Sequence, residues 1–210
     1  MRAWMRVAGA VAGLTLAAGT AACTGADVDP VVAPTGPATT AVPSGGGPAP
    51  ADGPLYHADG LDLCGRTDLA VLADLGLTVT RTDPTPPAVR PGAACLFEMR
   101  TSKGYEANLR VEASTPGTVE EARRLYRGTG QATTMRRIGA VDGAGEEAEA
   151  FGKQSEPGFR YAEYMVHSRT GNLVVKVWLA VGGDSYVPTS TLAEKSLDIL
   201  AATRSAVPTG

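Results

Sequence analysis

The stretch that decides the fold is "YAEYMVHSRTGNLVVKVWLAV", which covers residues 161–181. Apolar and polar side chains alternate on both sides of the pair Thr170 and Gly171, as they do in a β-hairpin with one buried face. The alternation places on one face Ala162, Tyr164, Val166, Leu173, Val175, Val177 and Leu179. We therefore expect an antiparallel hairpin that turns this face toward the core.

The other face of this hairpin differs from an ordinary solvated face. It collects an amphipathic, partly aromatic cluster of six side chains that form a candidate binding surface: Tyr161, Glu163, Met165, His167, Lys176 and Trp178. Exposed Tyr and Trp are typical anchors of recognition surfaces, which favours a binding role. The alternative is that a helix or the segment around Tyr56 covers Trp178, or that the cluster only stiffens the sheet.

An earlier hairpin in residues 95–113 carries a plainly polar set at the corresponding positions. These residues, which the pattern predicts to be solvated, are Glu98, Arg100, Asn108, Arg110 and Glu112. Helical patterns follow each hairpin, at residues 118–127 and 190–204, and a first helix is predicted between an N-cap at Thr67 and a stop at Gly76.

Further strands are expected at residues 77–82 and after the glycine-rich turn in residues 141–151. The order is helix, three strands, helix, three strands, helix. It predicts an α+β fold whose mainly antiparallel sheet is built from two strand-strand-helix units, with the helices on one face.

The chain before this domain carries an export pattern. Residues 1–22 combine Arg2 and Arg6 with an apolar run and small residues, which predicts a signal peptide. Directly after them stands Cys23, and this segment resembles a bacterial lipoprotein signal, which implies lipidation of Cys23. The alternative is ordinary secretion with a free thiol at this position.

Composition divides the rest of the chain. Residues 23–55 contain the lipidated cysteine and a Pro-, Gly- and Thr-rich segment with no helical or strand period, which predicts a disordered tether. Residues 56–205 form a single domain, and residues 206–210 are predicted to be a disordered tail.

Three cysteines occur in the chain, so lipidation of Cys23 leaves Cys64 and Cys95 to pair with each other. A bridge over their 31 positions of separation suits an oxidising compartment. A Cys–His nucleophile would need a reduced thiol outside the cell, and the two histidines do not lie at metal-ligand spacing from these cysteines.

Three short motifs carry a resemblance to a known family. They are "LCGRTDLAVLADLGL", "CLF" and "VDGAGEEA", at residues 63–77, 95–97 and 141–148. Together they resemble actinobacterial cell-envelope lipoproteins that share a paired-cysteine domain of unknown function. The resemblance implies an outward-facing, disulfide-bonded and lipid-anchored domain, and it brings no catalytic residues.

Known catalytic motifs are missing from the sequence: there is no G-x-S-x-G, no phosphate-binding loop, no H-E-x-x-H and no C-x-x-C. A formal charge of −3 gives no basic surface for nucleic acid. We expect a non-enzymatic lipoprotein without cofactor or metal, anchored at the outer face of the cell membrane, that binds an envelope ligand or a partner protein. The alternatives are an envelope hydrolase that uses carboxylates, such as those of "GEEAEA" at residues 145–150, or a purely structural interaction domain.

Overall fold

The computed structural model describes residues 55–210. The helices are α1 (Leu63–Arg66), α2 (Val119–Ala132) and α3 (Thr189–Ala206), and a 3₁₀ helix covers Ala70–Leu75. The strands are β1 (Leu77–Thr85), β2 (Gly92–Thr101), β3 (Glu106–Ser114), β4 (Arg136–Ala140), β5 (Glu147–Ser155), β6 (Arg160–Thr170) and β7 (Leu173–Gly183).

All seven strands belong to one sheet with the order β1-β2-β3-β7-β6-β5-β4. Every neighbouring pair is antiparallel, which confirms an α+β fold with a mainly antiparallel sheet. Strand β4 was not expected, because its "RRIGA" sequence is short. In the structure this strand is mostly exposed, and its pairing with β5 is interrupted by a register shift between Arg137 and Gly139.

One face of the sheet carries the main core. Buried apolar side chains from both hairpins, such as Phe97, Leu109, Val166 and Val177, lie on this face. Helix α3 packs against β6 and β7 and buries Leu192, Ile199 and Leu200 in the same core. The apolar faces of both hairpins therefore share one side of the sheet.

Helix α2 lies on the opposite face, so the prediction that the helices share one face is wrong. Its buried residues, Ala122 and Tyr126, pack with Val174, whose side chain points away from the main core. The physical reason is that the second face of β6 and β7 is not uniformly polar. A helix with only a narrow apolar stripe finds a matching patch there, and the strand-strand-helix pattern does not repeat in space.

The predicted disulfide is confirmed, since Cys64 of α1 is bonded to Cys95 of β2. The predicted start of the first helix at Thr67 is wrong. Thr67 is the C-cap of α1, and its hydroxyl donates to the carbonyl of Leu63. Gly76 ends the 3₁₀ helix with a φ of 60°, as a C-terminal glycine is expected to do.

The C-terminal residues 206–210 do not form the disordered tail that the sequence predicts. Helix α3 continues to Ala206, Val207 is buried, and Thr209 forms a β-bridge with Tyr56. The N–H of His57 donates a hydrogen bond to the carbonyl of Pro208, and the N–H of Gly210 donates one to the carbonyl of Leu55. Composition alone could not reveal this pairing of the two ends of the domain.

Cys23 and the predicted signal peptide and tether lie outside the described residues, apart from Leu55. None of the helices within residues 55–210 is long and apolar enough to span a membrane.

Candidate functional site

The pairing of β6 with β7 places the six candidate residues on one face of the sheet. Met165 lies opposite Trp178, and His167 lies opposite Lys176. The turn differs slightly from the expected one, because Thr170 pairs with Leu173. This changes the register by two residues, and an even change leaves every side chain on its expected face.

Helix α2 covers one part of this surface. His167 is completely buried, and Met165 is 6% exposed. The ring of Tyr126 stacks on the imidazole of His167 with a centroid distance of 4.3 Å, and Phe151 meets it edge-on at 5.4 Å. His167 therefore belongs to the packing of α2 and cannot contact a ligand directly.

A groove of about 500 Å³ runs beside α2 over the uncovered part of the surface. Its floor includes Met165, Lys176 and Trp178, so the structure brings three of the six predicted residues together. The walls are the proline-rich β1–β2 loop, with Ala88 and Val89, and the exposed flank of α2. A concave, partly apolar site of this size suits a small ligand.

The α2 wall of the groove contains Leu125, Gly128, Thr129, Ala132 and Thr133. These residues and Val89 were not predicted as part of a site. Their sequence pattern is that of an ordinary surface helix and loop, and only the placement of α2 on the second face turns them toward Trp178.

Of two further candidate residues, Glu163 holds the groove floor in place and Tyr161 lies outside it. Glu163 accepts a hydrogen bond of 3.1 Å from the indole N–H of Trp178. Tyr161 lies further along β6, where its hydroxyl accepts a hydrogen bond from Asn108. The first interaction fixes the orientation of the indole ring, whereas Tyr161 does not line the groove.

A buried carboxylate lies beside the groove, where the sequence predicted a solvated residue. Glu112 is 4% exposed and accepts hydrogen bonds from the backbone N–H of Ala88 and from the guanidinium of Arg110. Its Oε2 is also 3.0 Å from the ammonium of Lys176. This arrangement could be anticipated only if the pairing of β3 with β7 were known, because that pairing sets Glu112 opposite Lys176.

Electrostatics keeps Glu112 ionised. Burial alone would raise the pKa of the Glu112 carboxyl, but Lys176, the Ala88 N–H and Arg110 together lower it below its ordinary value. The carboxylate ties the β1–β2 loop to the sheet and positions both cations at the groove.

In His167, burial favours the uncharged form of the side chain. Desolvation lowers the pKa of its imidazole from 6.5 to about 4, although Glu149 acts in the other direction. Neither ring nitrogen has a hydrogen-bond partner within residues 55–210, and Nε2 is 4.0 Å from Glu149 Oε2. The ring is therefore neutral near pH 7 and contributes to packing.

The carboxylates considered for acid–base chemistry are paired with cations. In "GEEAEA", Glu146 and Glu147 both bind the buried guanidinium of Arg169, at 2.7 and 2.5 Å.

A second cavity, of about 400 Å³, lies at the far end of the sheet and is lined by Glu156 and Asp184. Hydrogen bonds from Lys103 and Tyr105 lower the pKa of Asp184, and a hydrogen bond from the Gly171 N–H lowers the pKa of Glu146.

A general acid in a hydrolase needs a carboxyl group whose pKa is raised. Asp184 and Glu146 are shifted in the other direction, as is Glu112. Among the described residues, no three His, Cys, Asp or Glu side chains come together in a way that could hold a metal ion. The carboxyl groups of Glu112, Glu146 and Asp184 are therefore held in the ionised form by their hydrogen bonds and ion pairs.

The chain matches no protein-family model, no curated protein and no solved structure.

Proposed function

We propose that this protein is a lipid-anchored extracytoplasmic protein whose α+β domain binds a component of the cell envelope in the groove beside α2. The observation that carries the binding proposal is the groove of about 500 Å³ in which Trp178, Met165 and Lys176 meet. It combines an aromatic ring, a flexible thioether and a cation, and these groups together suit a ligand with apolar and polar parts.

The shape of the groove supports a binding role for a second reason. Trp178 stays partly exposed although a helix packs on the same sheet face, and its indole is held by Glu163. An apolar ring that is oriented in advance and left open loses little entropy when a ligand arrives.

The membrane anchor is supported by the sequence alone. Residues 1–22 have the layout of an export signal and Cys23 directly follows them, as in the envelope lipoproteins that the chain resembles. The Cys64–Cys95 disulfide agrees with an oxidising compartment.

The anchor is tested by measuring the intact mass of the protein purified from its own membranes. We expect a mature chain that begins at Cys23 and carries acyl groups, and we expect Cys23→Ala to move the protein from the membrane fraction to the soluble fraction. A mature mass without acyl groups would contradict the anchor and leave the binding proposal intact.

The groove is tested by identifying small molecules that remain bound to the natively purified protein. We expect Trp178→Ala to reduce the amount of such a molecule at least about tenfold, as removal of an aromatic anchor does at other binding sites. Tyr105→Ala is the matched control, because Tyr105 is a partly exposed aromatic residue that lines the separate cavity of about 400 Å³. Equal retention by the two variants would contradict the proposed site.

A further inference from the structure

We propose that the groove binds a single-chain amphiphile with one carboxylate head group, such as a long-chain fatty acid. This inference rests on the proposed function, because it names the class of ligand for the same groove. It is drawn from the separation of apolar and cationic groups along the groove lining.

The apolar part of the ligand would lie between α2 and the β1–β2 loop. Val89 is 37% exposed there although it is a large apolar residue, and it faces Leu125 and Trp178 across the groove. Leaving these side chains in contact with water is unfavourable, and the CH₂ groups of a ligand that covers them are removed from water as well. An unbranched alkyl chain that lies along these side chains would cover them.

The head group would bind at Lys176. Its ammonium has three N–H donors, and its one ion-pair partner among the described residues is Glu112, at 3.0 Å. The Lys176 side chain is 20% exposed, so its remaining donors can reach a ligand in the groove. Arg110 has less to offer, because Thr85, Pro86 and Glu112 already accept hydrogen bonds from its guanidinium.

The charge count favours a monoanion. Lys176 and Arg110 carry two positive charges, and the carboxylate of Glu112 lies between them. Glu163, which holds the indole ring of the groove floor, is itself paired with Lys153 at 3.6 Å, so one positive charge remains in excess beside the groove. A carboxylate head neutralises this excess, whereas a cationic head would be repelled and a neutral one would leave it unpaired.

The surroundings of the groove add to the attraction for anions. An adjoining cavity of about 440 Å³ shares Val89 and Leu125 with the groove, and its lining includes Arg90 and Arg124 with one acid, Glu121. Arg124 lies 3.9 Å from Glu121, so the lining of this cavity adds one further positive charge, that of Arg90, beside the groove.

The test uses the fluorescence of Trp178 in the mature chain. Trp178 is one of two tryptophans, and the other, Trp4, lies in the predicted signal peptide, so a mature chain that begins at Cys23 has Trp178 as its single indole emitter. The probes are dodecanoate, dodecanol and dodecyltrimethylammonium, which share the alkyl chain and differ in the head group. Each is titrated below its micelle concentration or, for dodecanol, below its solubility. We expect dodecanoate to bind at least about tenfold more tightly than the other two, as a charge-assisted hydrogen bond provides.

Lys176→Met removes the charge and keeps most of the stem, and we expect it to reduce the affinity for dodecanoate about tenfold with little effect on dodecanol. Lys195→Met is the matched control, since Lys195 also lies 3.0 Å from a carboxylate, that of Asp74, but on α3 at the other face. A thermal unfolding curve of each variant verifies that it folds.

Equal affinities for the three probes would overturn the inference even if Lys176→Met does not fold, because they are measured on a chain with the native Lys176. If dodecanoate does not bind while a natively co-purified compound still changes Trp178 emission, the ligand class is wrong and the proposed groove function stands.

Discussion

The imidazole of His167 and the phenol ring of Tyr126 pack in a tilted arrangement with a centroid distance of 4.3 Å and an interplanar angle of 31°. This contact joins α2 to the centre of the second sheet face, and the exposed flank of the same helix forms one wall of the groove. The groove therefore depends on a histidine that is completely buried and has no hydrogen-bond partner among the residues that the structure describes.

Protonation of His167 should destabilise the domain. Burial lowers its pKa from 6.5 to about 4, so the unfolded chain binds more protons than the folded one between these values. We expect the free energy of unfolding to be highest above pH 6.5 and to fall by up to about 3 kcal/mol as the pH decreases toward 4. Urea denaturation at a series of pH values measures this loss.

The groups around His167 set the window of that experiment. Glu149 and Lys176 act on it electrostatically in opposite directions, and Tyr126 lies over its ring. Glu112, Glu146 and Asp184 have pKa values below their ordinary ones, so the stability they contribute is lost at lower pH. The decline between pH 6.5 and 5 should therefore disappear in His167→Phe and persist in His57→Gln, which alters an exposed histidine.

Glu112 is expected to be important for stability although it lies on the sheet face opposite the main core. Glu112→Gln leaves Arg110 and Lys176 without their shared counter-charge and should lower the free energy of unfolding by about 2 kcal/mol or more. Glu98→Gln is the control, because Glu98 is exposed and 3.6 Å from Arg81, and should cost under about 0.5 kcal/mol. Equal losses in chemical denaturation would show that Glu112 is not a structural carboxylate.

The disulfide closes a loop over 31 positions and ties α1 to β2. Replacing Cys64 and Cys95 together by Ala should lower the free energy of unfolding by about 3 to 4 kcal/mol, because the unfolded chain gains the freedom of that loop. Reduction of the unaltered protein should have an effect of similar size, and a double variant as stable as the oxidised protein would refute the prediction.

The hairpins could be predicted from the sequence because alternation with a period of two survives small errors. The sequence predicted a turn at Thr170 and Gly171, whereas in the structure Thr170 pairs with Leu173. The register therefore differs by two positions, and an even difference leaves every side chain on its predicted face. The pairing of Cys64 with Cys95 was accessible by counting thiols.

The side of the sheet on which α2 packs could not be predicted in the same way. Its apolar stripe is narrow, and two sheet faces compete for it, so the outcome depends on the exact fit of Ala122 and Tyr126 to Val174. The groove was hidden for the same reason, because Leu125 and Gly128 become part of a site only after α2 is placed. The buried state of Glu112 depends on the pairing of β3 with β7, which spans over 60 positions in the chain.

Gly128 allows the helix and the groove to be altered separately. It lies within α2, and a Cβ added there meets no heavy atom within 4 Å, so Gly128→Ala should raise the free energy of unfolding by about 0.5 to 1 kcal/mol. Gly104→Ala is the matched control, because its Cβ also has open space but its φ is +84°. Chemical denaturation should show this control to be destabilised by about 1 kcal/mol, and a gain in both variants would contradict the conformational explanation.

The most direct test of the groove fills it without removing any existing contact. Gly128 lines the groove, so the side chain in Gly128→Leu would occupy space that a ligand needs, whereas Gly128→Ala adds a single methyl group. The measurement is the amount of co-purified small molecule in the two variants, both isolated from native membranes. A binding groove predicts that Gly128→Ala retains the molecule and that Gly128→Leu loses at least about nine-tenths of it; equal retention by two folded variants would contradict a ligand site beside α2.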